Sequence, residues 1–129
     1  MTPPRQNGTP PHNANGHRRR RLTARVLTEE HTCALCGQPV DKTLTTITGQ
    51  HGPRCRGDCT GCARHPMSPV VDEDIPRARG GSPYQRSNCH LMHRRCNAWK
   101  ATRTLAEARA RLAGVTMATP KTVEASPIW

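Results

Sequence analysis

Apolar residues are sparse along this chain and fall into short clusters. Leu22, Val26 and Leu27 follow a run of four arginines, Arg18 to Arg21, at a spacing compatible with a short helix. Val70 to Ile75 is the best strand candidate near the centre, and Pro76 ends it by removing a backbone donor. Arg77 to Gln85 contains Gly and Ser and reads as a loop. Cys89 to Met92 can pair back as a second short strand, and Arg94 to Thr102 has helical composition. Thr104 to Leu112 sets Leu105, Ala108 and Leu112 on one face, with Arg109 and Arg111 off it, which predicts a short amphipathic helix stopped by Gly114. Met1 to His17 is rich in Pro, Asn and Gly without periodicity. The layout expected is a disordered basic arm over 1–21, one domain over 22–113 and a loose tail over 114–129.

Composition explains why so little pattern is visible. Of 129 residues only 33% are apolar and 2% aromatic, with no Phe, so the core is thin and needs staples. Seven Cys and seven His are the obvious source. Residues 1–30 contain no apolar h-region, so neither a secretory signal nor a transmembrane span is expected. That predicts an intracellular chain, in which cysteines serve metals rather than disulfides, and their odd number argues the same way. Lys and Arg number 20 against 9 Asp and Glu, a formal net charge of +11, which makes a polyanion such as nucleic acid the default partner. A basic solvated surface is the blander account of the charge, but arginines recur beside the metal motifs as well as at the N-terminal run.

Two clusters have metal-ligand spacing. Cys33-Ala34-Leu35-Cys36-Gly37 reads as a zinc knuckle, and His93-x2-Cys96 repeats its spacing, completing a Cys3His tetrahedral set. Between them Cys55, Cys59 and Cys62 could close a second zinc site within an insertion spanning 51–65. His65 is the nearest fourth ligand, and His51 or Cys89 are the alternatives. Almost nothing apolar lies in that segment, so metal would be its reason to fold.

Between these clusters run Val71-Asp72-Glu73-Asp74-Ile75-Pro76, Gly80-Gly81, Asn88 and His93-x2-Cys96-Asn97-Ala98-Trp99-Lys100. In their order these motifs resemble the HNH endonuclease family, specifically its small zinc-stapled members from bacteriophages and actinobacteria. The resemblance covers about Thr32 to Arg103. It implies a small α+β fold with a ββα-metal (His-Me finger) motif. It also implies a phosphodiester hydrolase acting on DNA in the cytoplasm of a bacterial host, with Mg²⁺ or another divalent cation at the site and structural zinc holding the frame. Asp72 and Asn97 take the places of the cation ligands, and Asn88 that of the asparagine that braces the loop and helps orient the base. Glu73 falls where most members have the histidine that acts as general base. A carboxylate's reference pKa lies about two units below that of histidine, so Glu73 is a weaker base unless its site raises the value.

The chemistry of such a site is coherent in its own terms. A hard cation prefers oxygen ligands, which Asp72 and the Asn97 amide supply, and Arg77, Arg79, Arg94, Arg95 and Lys100 are placed in sequence to contact phosphates. His90 is a substitute base if the fold brings it near Glu73, and Met92 and Trp99 are expected in the small core. Each carboxylate and amide also has a commoner structural use, as a surface turn or a helix cap. A zinc-dependent nucleic-acid-binding module with a weak or inactive site is therefore the alternative function. A protein-interaction module would leave the arginines unexplained.

Overall fold

The structure, a computed structural model, describes residues 11–118. Three helices, α1 (Pro11–Glu29), α2 (Arg94–Lys100) and α3 (Leu105–Ala118), accompany two antiparallel strand pairs. β1 (Thr46–Ile47) pairs with β2 (Ala63–Arg64), and β3 (Pro69–Glu73) pairs with β4 (Cys89–His93). The fold is thus a small α+β one in which strand, loop, strand and helix follow one another from Pro69 to Lys100, as the pattern predicts.

Two boundaries differ from expectation. The segment expected to be a disordered arm up to residue 21 is helical from Pro11, so the expected domain boundary falls inside α1. Leu22 and Val26, one helical turn apart, are buried against the core and anchor the helix there. The arginines preceding them are carried as the same helix's N-terminal extension. Gly114 does not stop α3, which continues to Ala118, because an isolated glycine weakens a helix by only about 1 kcal/mol. The start of α3 is a reciprocal capping box. Thr104 N donates to Glu107 Oε1 (3.0 Å) and Glu107 N donates to Thr104 Oγ1 (3.1 Å). The first ten residues and the last eleven of the expected tail lie outside the described residues.

The core gathers Leu22 and Val26 of α1, Cys33, Leu35 and Val40 of the knuckle, Leu91 and Met92 of β4, Cys96, and Leu105 and Ala108 of α3. Trp99 is partly buried against it, and Met92 is 1% exposed, so both are packing residues. Register pairs Asp72 with His90 and Glu73 with Cys89. Side chains alternate along a strand, so neighbouring Asp72 and Glu73 diverge to opposite faces of this pair. Glu73 meets Arg19 of α1, whereas Asp72 meets Lys100 of α2.

The loop from β3 to β4 is closed by Asn88. Its Oδ1 accepts from Ile75 N (2.9 Å), and its Nδ2 donates to Ile75 O (3.1 Å) and Ser82 O (3.0 Å). The two glycines make this closure possible. Gly80 adopts φ +93°, and a Cβ on Gly81 would overlap Ile75 O and press on Asn88 Nδ2. Gly81→Ala should therefore destabilise the protein by roughly 2 kcal/mol through overpacking against backbone. Urea unfolding checks this, and an unchanged midpoint would show that the loop does not rest on Asn88.

Candidate metal centres and a carboxylate cluster

The knuckle is built by its turn. Gly37, at φ +77°, lets its N–H reach Cys33 O (2.9 Å), and Cys33 N donates to Gln38 O (2.8 Å). Ala34 N donates to Leu91 O (2.8 Å), fastening the turn beside β4, while Arg109 of α3 donates to Ala34 O. The donor atoms of Cys33, Cys36, His93 and Cys96 consequently lie within 4.8 Å of one another. His93 Nδ1 stands 3.4 Å from Cys36 Sγ and 3.8 Å from Cys96 Sγ. Tetrahedral zinc with bonds of about 2.0–2.3 Å needs edges of about 3.5–3.8 Å, so this set could hold zinc with little movement. The other ring nitrogen, Nε2, is 3.0 Å from Pro39 O. Carrying the proton there, as donor to the carbonyl, frees Nδ1 for a metal.

Proton affinities in the cluster are split. The Cys33 thiol is lowered to about 4 by a hydrogen bond from Cys96. That of Cys96 is pushed up by the same bond and then by burial, and that of Cys36 is raised chiefly by burial. Without a cation the site therefore favours one thiolate over three. Zinc would displace protons from Cys36 and Cys96, and its affinity falls as pH is lowered.

The second cluster forms in the 48–62 segment between β1 and β2. His51 Nδ1 lies 3.1 Å from Cys55 Sγ and 3.3 Å from Cys59 Sγ, and Cys55 and Cys59 sulfurs are 3.5 Å apart. Cys62 Sγ completes the group within 4.8 Å. Gly52 N and Gly57 N donate to the Cys62 and Cys55 sulfurs, as amides do around metal thiolates. The fourth member is His51, not His65. His65 Nδ1 instead accepts from Met67 N (3.0 Å), in the turn leading into β3. Cys89, the other alternative, is buried at β4 beside Arg19. The nearer histidine in sequence is excluded because β2 carries it out of the insertion. Two Cys/His clusters could thus hold zinc.

The three consecutive carboxylates each meet a cationic or protonatable partner. Lys100 Nζ donates to Asp72 Oδ2 (2.8 Å) and to Glu73 O (2.9 Å). Arg19 Nη2 meets Glu73 Oε2 at 3.0 Å, and Arg77 Nε lies 3.8 Å from Glu73 Oε1. Arg19 also donates to Val71 O and Pro83 O, both at 2.8 Å, so one guanidinium ties α1 to β3 and the loop. Asp74 Oδ1 is 2.6 Å from His90 Nδ1, and Glu30 Oε2 is 3.9 Å from His90 Nε2. Lys100, expected at the nucleic-acid surface, is 1% exposed and committed to β3, so it is a structural cation and not a phosphate contact. Its long apolar stem suits that burial, which its charge alone conceals.

The remaining predicted arginines divide. Arg77 is 60% exposed, while Arg79 pairs with Glu107 of α3 and Arg94 Nε donates to Ser68 Oγ (3.1 Å). Arg95 is half-buried. Asn97 sits in the first turns of α2, half-buried, three residues before Lys100 and so on the helix face that approaches Asp72. No helix among the described residues is long and apolar enough to cross a membrane. Comparisons with protein-family models, with curated proteins and with solved structures find no match to this chain.

Proposed function

We propose that the protein is a metal-dependent DNA endonuclease of HNH type, in which the unit from β3 to α2 is the catalytic element. The observation that carries this reading is the closed loop. Asn88 locks the β3–β4 connection with three hydrogen bonds, while Lys100 draws Asp72 against the face of α2 that bears Asn97. Asp72 and Asn97 supply oxygen donors suited to a hard cation such as Mg²⁺, with the Asp72 carboxylate shared with Lys100. When bound, such a cation supplies electrostatic stabilisation of charge developing on the phosphate and leaving oxygen.

Two groups can act as base. Glu73 is the expected one, but its side chain is 10% exposed and held by Arg19. His90 is the cross-strand partner of Asp72, lies on the same face, and is 30% exposed. Asp74 on Nδ1 orients the ring, and Nε2, with Glu30 Oε2 3.9 Å away, is the nitrogen that would accept a proton from water. This geometry favours His90 as the base and gives Glu73 the task of anchoring α1. The Arg19 clasp equally supports a second reading, a zinc-stapled DNA-binding module without catalysis, in which the glutamate is purely structural.

Nicking of supercoiled plasmid separates these readings. Wild type with Mg²⁺ or Mn²⁺ should nick, and Asp72→Ala and Asn97→Ala should abolish it. His90→Ala should slow it by roughly 100-fold or more, the usual contribution of a general base. Failure of wild type across several divalent metals, or equal nicking by all variants, removes the endonuclease reading. A larger loss in a folded Glu73→Gln protein than in His90→Ala returns the base to Glu73.

A further inference from the structure

The N-terminal helix carries a feature that the catalytic element does not use. Leu22 and Val26 turn inward, and Arg18, Arg21 and Arg25 are exposed along the flank of α1 next to Leu22. Together with Leu22, Thr28 and Tyr84 these arginines line an open cleft of about 660 Å³, within the roughly 300–1,000 Å³ typical of sites for small organic groups. Tyr84 comes from the β3–β4 loop and is the only tyrosine in the chain. The Arg18 guanidinium lies 4.2 Å from its ring centroid.

We infer that this cleft holds an unpaired strand of DNA, with a base stacked on the Tyr84–Arg18 platform and the backbone phosphates on Arg21 and Arg25. The inference rests on DNA being the substrate, as proposed above, and specifies its form. Charge selects the polyanion: three guanidiniums face the cleft against one carboxylate, Glu29, which is already engaged by Arg25 (3.3 Å) and Arg86 (2.9 Å). From Arg18 to Arg25 the helix advances about 10 Å, enough to follow a run of phosphates rather than one. The aromatic ring of Tyr84 selects the unpaired strand. A duplex keeps its base faces stacked inside and presents phosphates alone, whereas every unpaired base offers a π-face to an aromatic or guanidinium plane. The same helix holds Glu73 through Arg19, so a strand lying in the cleft is bound by the element that braces β3.

Fluorescence anisotropy with zinc-loaded full-length protein and no added Mg²⁺ tests this without cleavage, using a labelled oligothymidylate and a mixed-sequence duplex of equal length. Tyr84→Ala should weaken oligothymidylate binding by roughly 10-fold or more, the scale of losing one base–aromatic stack, and leave duplex binding within about twofold. Tyr84→Phe should bind as wild type, and Arg18→Ala/Arg21→Ala should weaken both ligands and flatten the salt dependence. Zinc content and urea midpoint confirm that each variant is folded. Wild-type affinity in Tyr84→Ala, or an equal loss for duplex and single strand, overturns the inference. The endonuclease reading fails separately, in the plasmid assay, and Tyr84-dependent binding by a protein that never nicks would leave this cleft standing alone.

Discussion

Cys96→Ser is expected to cost the protein one equivalent of zinc and its cooperative unfolding transition together. Cys96 is fully buried at the start of α2, and its partners come from three places: the knuckle at Cys33 and Cys36, the end of β4 at His93, and α2 itself. Without the metal those elements are joined by a small cluster of aliphatic side chains in a chain that has no Phe. Structural zinc contributes apparent binding free energies of about 10–16 kcal/mol in zinc-finger peptides at neutral pH, which exceeds what so small a core supplies alone. Serine offers a hard oxygen with a much higher pKa and does not replace a thiolate on zinc. Cys59→Ser should behave differently. Its cluster is partly exposed and lies in the insertion between β1 and β2, so the second zinc should be lost while the urea midpoint of the β3–β4–α2 unit changes little. Elemental analysis of wild type should find two zinc ions per chain, of Cys59→Ser one, and circular dichroism should show unfolding only for Cys96→Ser. A folded, cooperative Cys96→Ser protein, or wild type with no zinc, would refute the stapling role. Acid should release the metal, since Cys36 and Cys96 regain protons most readily.

These outcomes follow from features of unequal legibility. The strand, loop, strand and helix order and the Cys3His set were readable because they depend on local quantities: a β-branched run ended by Pro76, a glycine pair, and two equal cysteine spacings. The fourth member of the second cluster was not, because proximity in sequence favours His65 whereas the β1–β2 pairing removes it and brings His51 back. The length of α1 was missed because its N-terminal half has no apolar periodicity. Leu22 and Val26 commit the helix to the core, and Arg19, bound to Val71 O, Pro83 O and Glu73, ties down the turn before them. Thr104 and Glu107 did carry a readable signal, the Thr-x-x-Glu of a capping box, that marks where α3 begins.

Charge was the least legible property. A sequence shows that Asp72, Glu73 and Asp74 are adjacent, but strand alternation and the register with β4 decide that they separate onto Lys100, Arg19 and His90. An acidic run therefore becomes three distinct contacts that join β3 to α2, α1 and β4. The same pairing holds Glu73 under Arg19 and sets His90, 30% exposed, on the face of Asp72.

Lys100→Met is the sharpest test of that separation. The ammonium is 1% exposed and donates to both the Asp72 carboxylate and the Glu73 carbonyl, so methionine keeps the volume of the stem and removes both donors. Removing one member of a buried pair typically costs about 3–5 kcal/mol, since the other charge is left without compensation. Asp72 is 19% exposed and water can take part of its charge, which puts the expected loss near the lower end, at about 3 kcal/mol. Replacing both residues, Lys100→Met with Asp72→Leu, should recover more than about 1 kcal/mol of that loss, because no unpaired charge is then buried. Asp72→Asn supplies the contrast. An amide oxygen still accepts from Lys100, so stability falls less than in Lys100→Met, yet a neutral ligand holds a divalent cation poorly and plasmid nicking should vanish. Urea titrations of wild type, Lys100→Met, Asp72→Leu and the double variant measure the coupling. A Lys100→Met midpoint equal to wild type would mean that the lysine is solvated in solution and that Asp72 is not held against α2. The proposed pairing of Asp72 with Asn97 as cation ligands depends on that Lys100 contact and would fall with it.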